Sequence, residues 1–219
     1  LKTPYIKHYS PFEFNELTKG NKGEMRTDIL RAKYSEEVVE EYLRVNGIYV
    51  IERDDKYTGK FDIKCSDGCS YEIKDESYNY DEKSGNIALE IGKLKTNLEV
   101  LSQDTLEYIY KNNLYQKSSL LISDSTFHMW NIKIQAKKIV PVQISTKRIL
   151  NEIFPLRTRF SYTSNKTGDK RSFLALVKIK DFIENCDCFL DMSHSKWAND
   201  YLWDKEEILN ILTEKERHD

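Results

Sequence analysis

Asp62, Glu72 and Lys74 are the side chains of this sequence whose types and spacing suit chemistry. Phe61 to Lys74 reads as a β-hairpin turning through Ser66-Asp67-Gly68, with Gly68 supplying the left-handed residue that three-residue hairpin loops need. Cys65 then faces Cys69, and Asp62 faces Glu72. Side chains alternate faces along a strand, so Phe61, Ile63 and Cys65 share one side with Tyr71 and Ile73, while Asp62, Glu72 and Lys74 share the other. Opposed residues hold their Cβ atoms about 4.5–5.5 Å apart. Two carboxylates that close repel unless a proton or a divalent cation sits between them. A hard cation such as Mg²⁺ takes oxygen ligands, often one or two carboxylates completed by substrate phosphate. The predicted geometry asks for such a metal.

The elements that must position these groups follow from periodicity. Met25 to Asn46 reads as one long helix or two, with Val39 and Leu43 in its apolar stripe and Glu37 and Glu41 outward. Glu36 lies seven residues before Leu43, on the core side. The competing reading makes Ser35 an N-cap with Glu36 and Glu37 at the positive end of a helix. Strands are expected at 48–51, 61–65, 70–74 and 87–91, with a polar loop over 75–85. Along the fourth, Ala88 and Glu90 alternate with Ile87, Leu89 and Ile91. A short helix at 12–18, a helix at 103–111 capped by Ser102, a strand pair at 120–123 and 126–134, and an edge strand at 174–179 complete the reading. Together they predict an α/β fold, a central mixed β-sheet flanked by helices. The expected layout is an extension over 1–24, a core over 25–180, and an acidic helical segment over 181–219 packed on that core.

Asp62, Glu72-Ile73-Lys74 and the strand Gly85-Asn86-Ile87-Ala88-Leu89-Glu90 resemble the PD-(D/E)XK nuclease superfamily, particularly its small phage and mobile-element members. Ser35-Glu36, Leu43, Gly47 and Val50 are similar to that superfamily's first helix and first strand, so the resemblance covers roughly residues 35 to 91. Phe61 stands where the name-giving Pro would be. The resemblance implies a restriction-endonuclease-like core and a Mg²⁺-dependent deoxyribonuclease, an endonuclease with Mn²⁺ as a substitute metal. It also implies Asp62, Glu72, Ile73 and Glu36 as metal-binding residues, Lys74 beside the attacking water, and Glu90 as an outer-shell group.

Basic residues concentrate between Thr146 and Ser172, where Lys147, Arg148, Arg157, Arg159, Lys166, Lys170 and Arg171 meet only Glu152 and Asp169 in a chain of formal net charge −2. Phe154, Phe160 and Tyr162 are interleaved. Such a surface can grip phosphates and stack on bases, with Lys93 and Lys95 extending the grip. It can equally be a solvated strand edge guarded against aggregation. DNA is the expected partner, with RNA open. Past Asp181 acidic side chains dominate, and an amphipathic helix over 197–212 suits packing on the core, a homodimer or another protein partner.

No stretch has the apolar length to span a bilayer, and the start does not resemble a secretion signal, which makes the cytoplasm the expected compartment. Cys65, Cys69, Cys186 and Cys188 lack the paired hooks of a zinc ribbon, so reduced, partly buried thiols are expected, with a zinc site or a disulfide as the alternatives. His128 lies within an apolar strand and reads as a satisfied core or edge residue and not as a catalyst. Phosphate-loop, His-Glu-x-x-His and Gly-x-Ser-x-Gly patterns do not occur. The competing function is a nucleic-acid-binding or assembly module on the same fold that has lost turnover.

Overall fold

Helix α1 (Glu24–Val45) buries Val38, Val39 and Leu43 along one stripe. It stops at a glycine-terminated cap: Gly47 has φ 79°, Ile48 N–H donates to Leu43 O at 2.9 Å, and Gly47 N–H donates to Arg44 O at 3.1 Å. These bonds take up carbonyls that the helix end would leave orphaned, and Ile48 packs beside the same apolar cluster. The computed structural model describes residues 24–54, 60–79, 85–95, 101–134, 137–139, 142–163, 170–190, 201–202 and 204–216. The helix expected at 12–18 lies outside them. Because α1 is continuous, Ser35 is a buried mid-helix residue and not an N-cap.

The following elements are β1 (Val50–Arg53), β2 (Ile63–Cys65), β3 (Ser70–Asn79), β4 (Asn86–Lys95), α2 (Gln103–Lys111), β5 (Gln116–Lys117), β6 (Ser125–Ile134), β7 (Lys137–Ile139) and β8 (Val142–Ser145). After them come α3 (Thr146–Arg148), running on through helical turns to Leu156, then β9 (Arg159–Tyr162), β10 (Lys170–Lys178), α4 (Ile179–Asn185), β11 (Cys188–Phe189), β12 (Tyr201–Leu202) and α5 (Lys205–Glu216). An eight-stranded mixed sheet runs β1-β2-β3-β6-β7-β12, with β8 on β6 and β11 on β8. A second, four-stranded sheet runs β5-β4-β10-β9. β3 and β6 are parallel, which requires a crossover. The segment holding β4 and α2 supplies it.

The middle strands of the main sheet are buried on both faces. On one, α1 covers Ile63, Cys65, Tyr71, Ile73 and Phe127. On the other, Val142 and Ile144 join a larger core with Ile87, Leu89 and Ile91 of β4, Phe173, Ala175 and Val177 of β10, and Phe182 of α4. Each fully buried large side chain contributes about 1.5–3 kcal/mol. Leu202 and the α5 residues Ile208 and Leu212 enter this core too, with Glu206 and Glu207 exposed. Among the described residues no helix is long and apolar enough to cross a membrane.

Several expectations are corrected. Residues 75–79 are strand, not loop, because the ladder with β6 continues to Asn79↔Lys133 and its main-chain bonds outweigh their polar character. Residues 119–121 form a 3-10 turn, in which Leu121 N–H donates to Ser118 O and Ile122 N–H to Ser119 O, both at 3.0 Å. β6 therefore pairs with β3 and β8 instead. Residues 174–178 are not an edge: β10 pairs with β4 on one side and β9 on the other. The C-terminal helix starts at Lys205, and Tyr201–Leu202 before it are strand. β4 belongs to the second sheet, so the strands do not form one sheet.

Candidate catalytic site

The β2–β3 hairpin turns at Gly68, φ 85°, with Cys65 N–H donating to Cys69 O at 2.9 Å and Asp67 Oδ1 accepting from Cys69 N–H at 2.9 Å. Ile63 pairs with Tyr71 and Lys64 with Ser70. Continuing that register one step sets Asp62, at a bend just before β2, across from Glu72. The ladder is bent there, since Asp62 N–H donates to Tyr71 O at 2.9 Å and Asp62 Oδ2 accepts from Ile73 N–H at 2.6 Å. Ile73 meets the site only through its main chain, because its side chain is in the α1-facing core.

Glu72 and Lys74 point away from α1, into the layer between the two sheets. Glu72 is 1% exposed, and its Oε1 is ion-paired with Lys74 Nζ. Glu72 Oε2 is buried with no hydrogen-bond partner among the described residues. The Lys74 side chain keeps 36% exposure and so links the sealed carboxylate to the surface. Burial acts to lower its pKa, but the charge and hydrogen bond of Glu72, with the charges of Asp62 and Glu90, outweigh it and hold the ammonium above its usual range. Asp62 is pushed up to about 7, first by burial and next by the Glu72 charge, against the Ile73 hydrogen bond and Lys74.

Other groups converge from further elements. Glu36 of α1 is paired with Lys33 at 2.6 Å, and its charge adds to the upward push on Asp62. Glu90 reaches the site from β4, where it is paired with Lys93, and Lys93 Nζ donates to Ser172 Oγ at 2.8 Å. From β6, Thr126 pairs with Glu72 and His128 with Lys74, so both share their neighbours' sheet face. The His128 ring packs edge-on to Phe182 at 4.9 Å between centroids. Burial, followed by the Lys74 charge, depresses it to about 3 and keeps it neutral. Sequence reading missed Thr126: its only signal is strand parity, which has no meaning until β3 and β6 are known to pair.

The basic residues separate into two groups. Arg148 is tied to Asp187 at 3.2 Å and Glu152 at 3.5 Å, and also donates to the Asn185 and Cys186 carbonyls. Arg157 donates to both oxygens of Glu107, at 3.0 and 2.9 Å, and lies over Phe160 at 4.5 Å. Both guanidinium groups are committed inside the fold. Lys147 and Arg159 are exposed. Lys95 and Lys170 stand opposite each other in the β4–β10 ladder, next to Leu94↔Arg171 and Lys93↔Ser172. Lys166 lies outside the described residues.

Two carboxylates close enough to perturb each other suit a hard divalent cation completed by water and phosphate. Among the described residues no three or more His, Cys, Asp or Glu side chains are grouped so as to hold a metal by themselves. All four cysteines carry free thiols, and burial raises those of Cys65 and Cys186 to about 11. An open groove of about 420 Å³ lies elsewhere, between α1 and β1, where Arg44 and Arg53 pair with Glu41 and Glu40. None of the candidate residues lines it. No family model, curated protein or solved structure matches the chain at a significant level.

Proposed function

We propose that the chain is a metal-dependent hydrolase of phosphodiester bonds in DNA, an endonuclease built on a restriction-endonuclease-like core. The observation that carries this reading is the gathering of Asp62, Glu72 and Lys74 at one point, with Asp62 and Glu72 close enough to perturb each other and Lys74 held cationic. The succession of α1, the β1–β2–β3 antiparallel run and β6 beside β3 is in keeping with such a core.

Asp62 and Glu72 would hold the metal, which when bound polarises a phosphate and lowers the pKa of water. Asp62 is oriented for this by the Ile73 N–H, which fixes one carboxylate oxygen and leaves the other available. Lys74 supplies a compact positive charge between the sealed Glu72 and the exterior, where it can orient a nucleophile and stabilise charge developing on phosphorus. The exposed Lys147 and Arg159 are cations suited to the phosphates of such a polymer.

Incubating the protein with single-stranded, duplex and branched DNA and with RNA, in Mg²⁺, Mn²⁺ or chelator, tests the reading. Cutting should require the metal, and Lys74→Ala should lose at least about 10²-fold in rate while still binding DNA. Binding without cutting by the wild type in either metal would instead identify an inert nucleic-acid-binding module.

A further inference from the structure

Glu72 and Thr126 are neighbours in the β3–β6 ladder, and both are essentially sealed from solvent, at 1% and 0% exposure. Glu72 Oε2 and Thr126 Oγ1 each have no hydrogen-bond partner among the described residues. Parallel partners project from the same sheet face, and the next residue across the sheet is apolar Ile144, paired with Thr126 and 0% exposed. The row from Asp62 through Glu72 and Thr126 to Ile144 thus passes from carboxyl to hydroxyl to hydrocarbon, and the two orphaned oxygens belong to the paired residues at which polarity ends. Buried polar atoms seldom stay unpaired.

We propose that Thr126 is a positioning residue for Glu72, joined to it by one buried water that accepts from or donates to the hydroxyl and donates to Oε2. Adjacent strands lie about 4.7–4.9 Å apart, which puts side-chain oxygens of paired residues within reach of one water making two hydrogen bonds of about 2.7–2.8 Å. A water with two to four polar partners is well held. With Oε1 held by Lys74 and Oε2 by the bridge, the carboxylate has one orientation, which a metal ligand needs before the metal arrives. The positioning role rests on the nuclease reading, whereas the bridge itself does not.

The test pairs a high-resolution crystal structure of the wild type with calorimetric titration of Mn²⁺, in the absence of DNA, into wild type, Thr126→Val and Thr126→Ser. Val matches the shape of Thr without its hydroxyl, and Ser restores the hydroxyl. The bridge predicts water density within hydrogen-bond distance of both oxygens, Mn²⁺ binding weakened about 10–100-fold by Val, and near-wild-type binding by Ser. No density between the two atoms overturns the proposal, as does Val binding Mn²⁺ as tightly as wild type. If the wild type takes up no Mn²⁺, the nuclease reading fails separately and the density alone decides the bridge.

Discussion

Asp62 and His128 pull the pH dependence of stability in opposite directions. Asp62 holds its proton up to about pH 7 in the folded chain, against about 3.9 when unfolded. Between those values the folded state binds more protons, so this group's contribution to stability falls as pH rises from about 4 to 7. His128 is held neutral down to about pH 3, so its contribution rises with pH from about 3 to 6.5. The two slopes oppose each other over most of the acid range. Asp62→Asn keeps an oxygen for the Ile73 N–H and removes the first slope. Its melting temperature should match the wild type near pH 4 and exceed it at pH 8, by about 2–4 °C for each 1 kcal/mol of relieved repulsion. Adding Mg²⁺ at pH 8 should raise the wild-type melting temperature and leave that of Asp62→Asn unchanged; thermal melts across pH check both. The hairpin register was legible because Gly68 and the apolar alternation both specify it. That Glu72 would be 1% exposed was not, since sealing requires a second sheet that local sequence does not reveal.

Between elements, the arginines of the basic stretch divide by what packs on them. Arg157, at the end of the helical turn before β9, ties that turn to α2 through Glu107 and covers Phe160 and Tyr110 with its guanidinium plane. A lysine can keep the charge but not the two-pronged bond or the stacking. Arg157→Lys should therefore destabilise the fold by about 1–3 kcal/mol, and Arg159→Ala, at an exposed position, by no more than about 0.5 kcal/mol. Urea melts of the two variants compare them directly, and equal midpoints would refute the structural role of Arg157. In the sequence these arginines are indistinguishable, because a basic residue's partner is set by whichever acidic side chain the fold brings alongside. Glu107 lies fifty residues away. The cap of α1 shows the opposite case: Asn46-Gly47-Ile48 is a local signal and formed a local structure.

Across the whole molecule, the C-terminal segment is part of the core. Leu202, Ile208 and Leu212 are buried with β4, β10 and α4 residues, so Leu212→Ala should cost about 2–4 kcal/mol in a single cooperative transition. A mild loss, or a separate transition for the terminal segment, would mean that α5 is only appended. The acidic exterior of this helix follows from the Glu206-Glu207 pair flanking Ile208, and its periodicity was readable without coordinates. Sequence alone determined what obeys short-range rules: the helical character of the stretch before Gly47, the hairpin, its turn, and the sidedness of Asp62, Glu72 and Lys74. Tertiary structure decided what depends on pairings distant in the chain. β3 joined β6 in parallel, β4 left for a second sheet, and Thr126 and His128 came to lie beside Glu72 and Lys74. A strand's pattern states which of its residues share a face, but the choice of neighbouring strand is made by the burial of whole layers, which no short window of sequence contains.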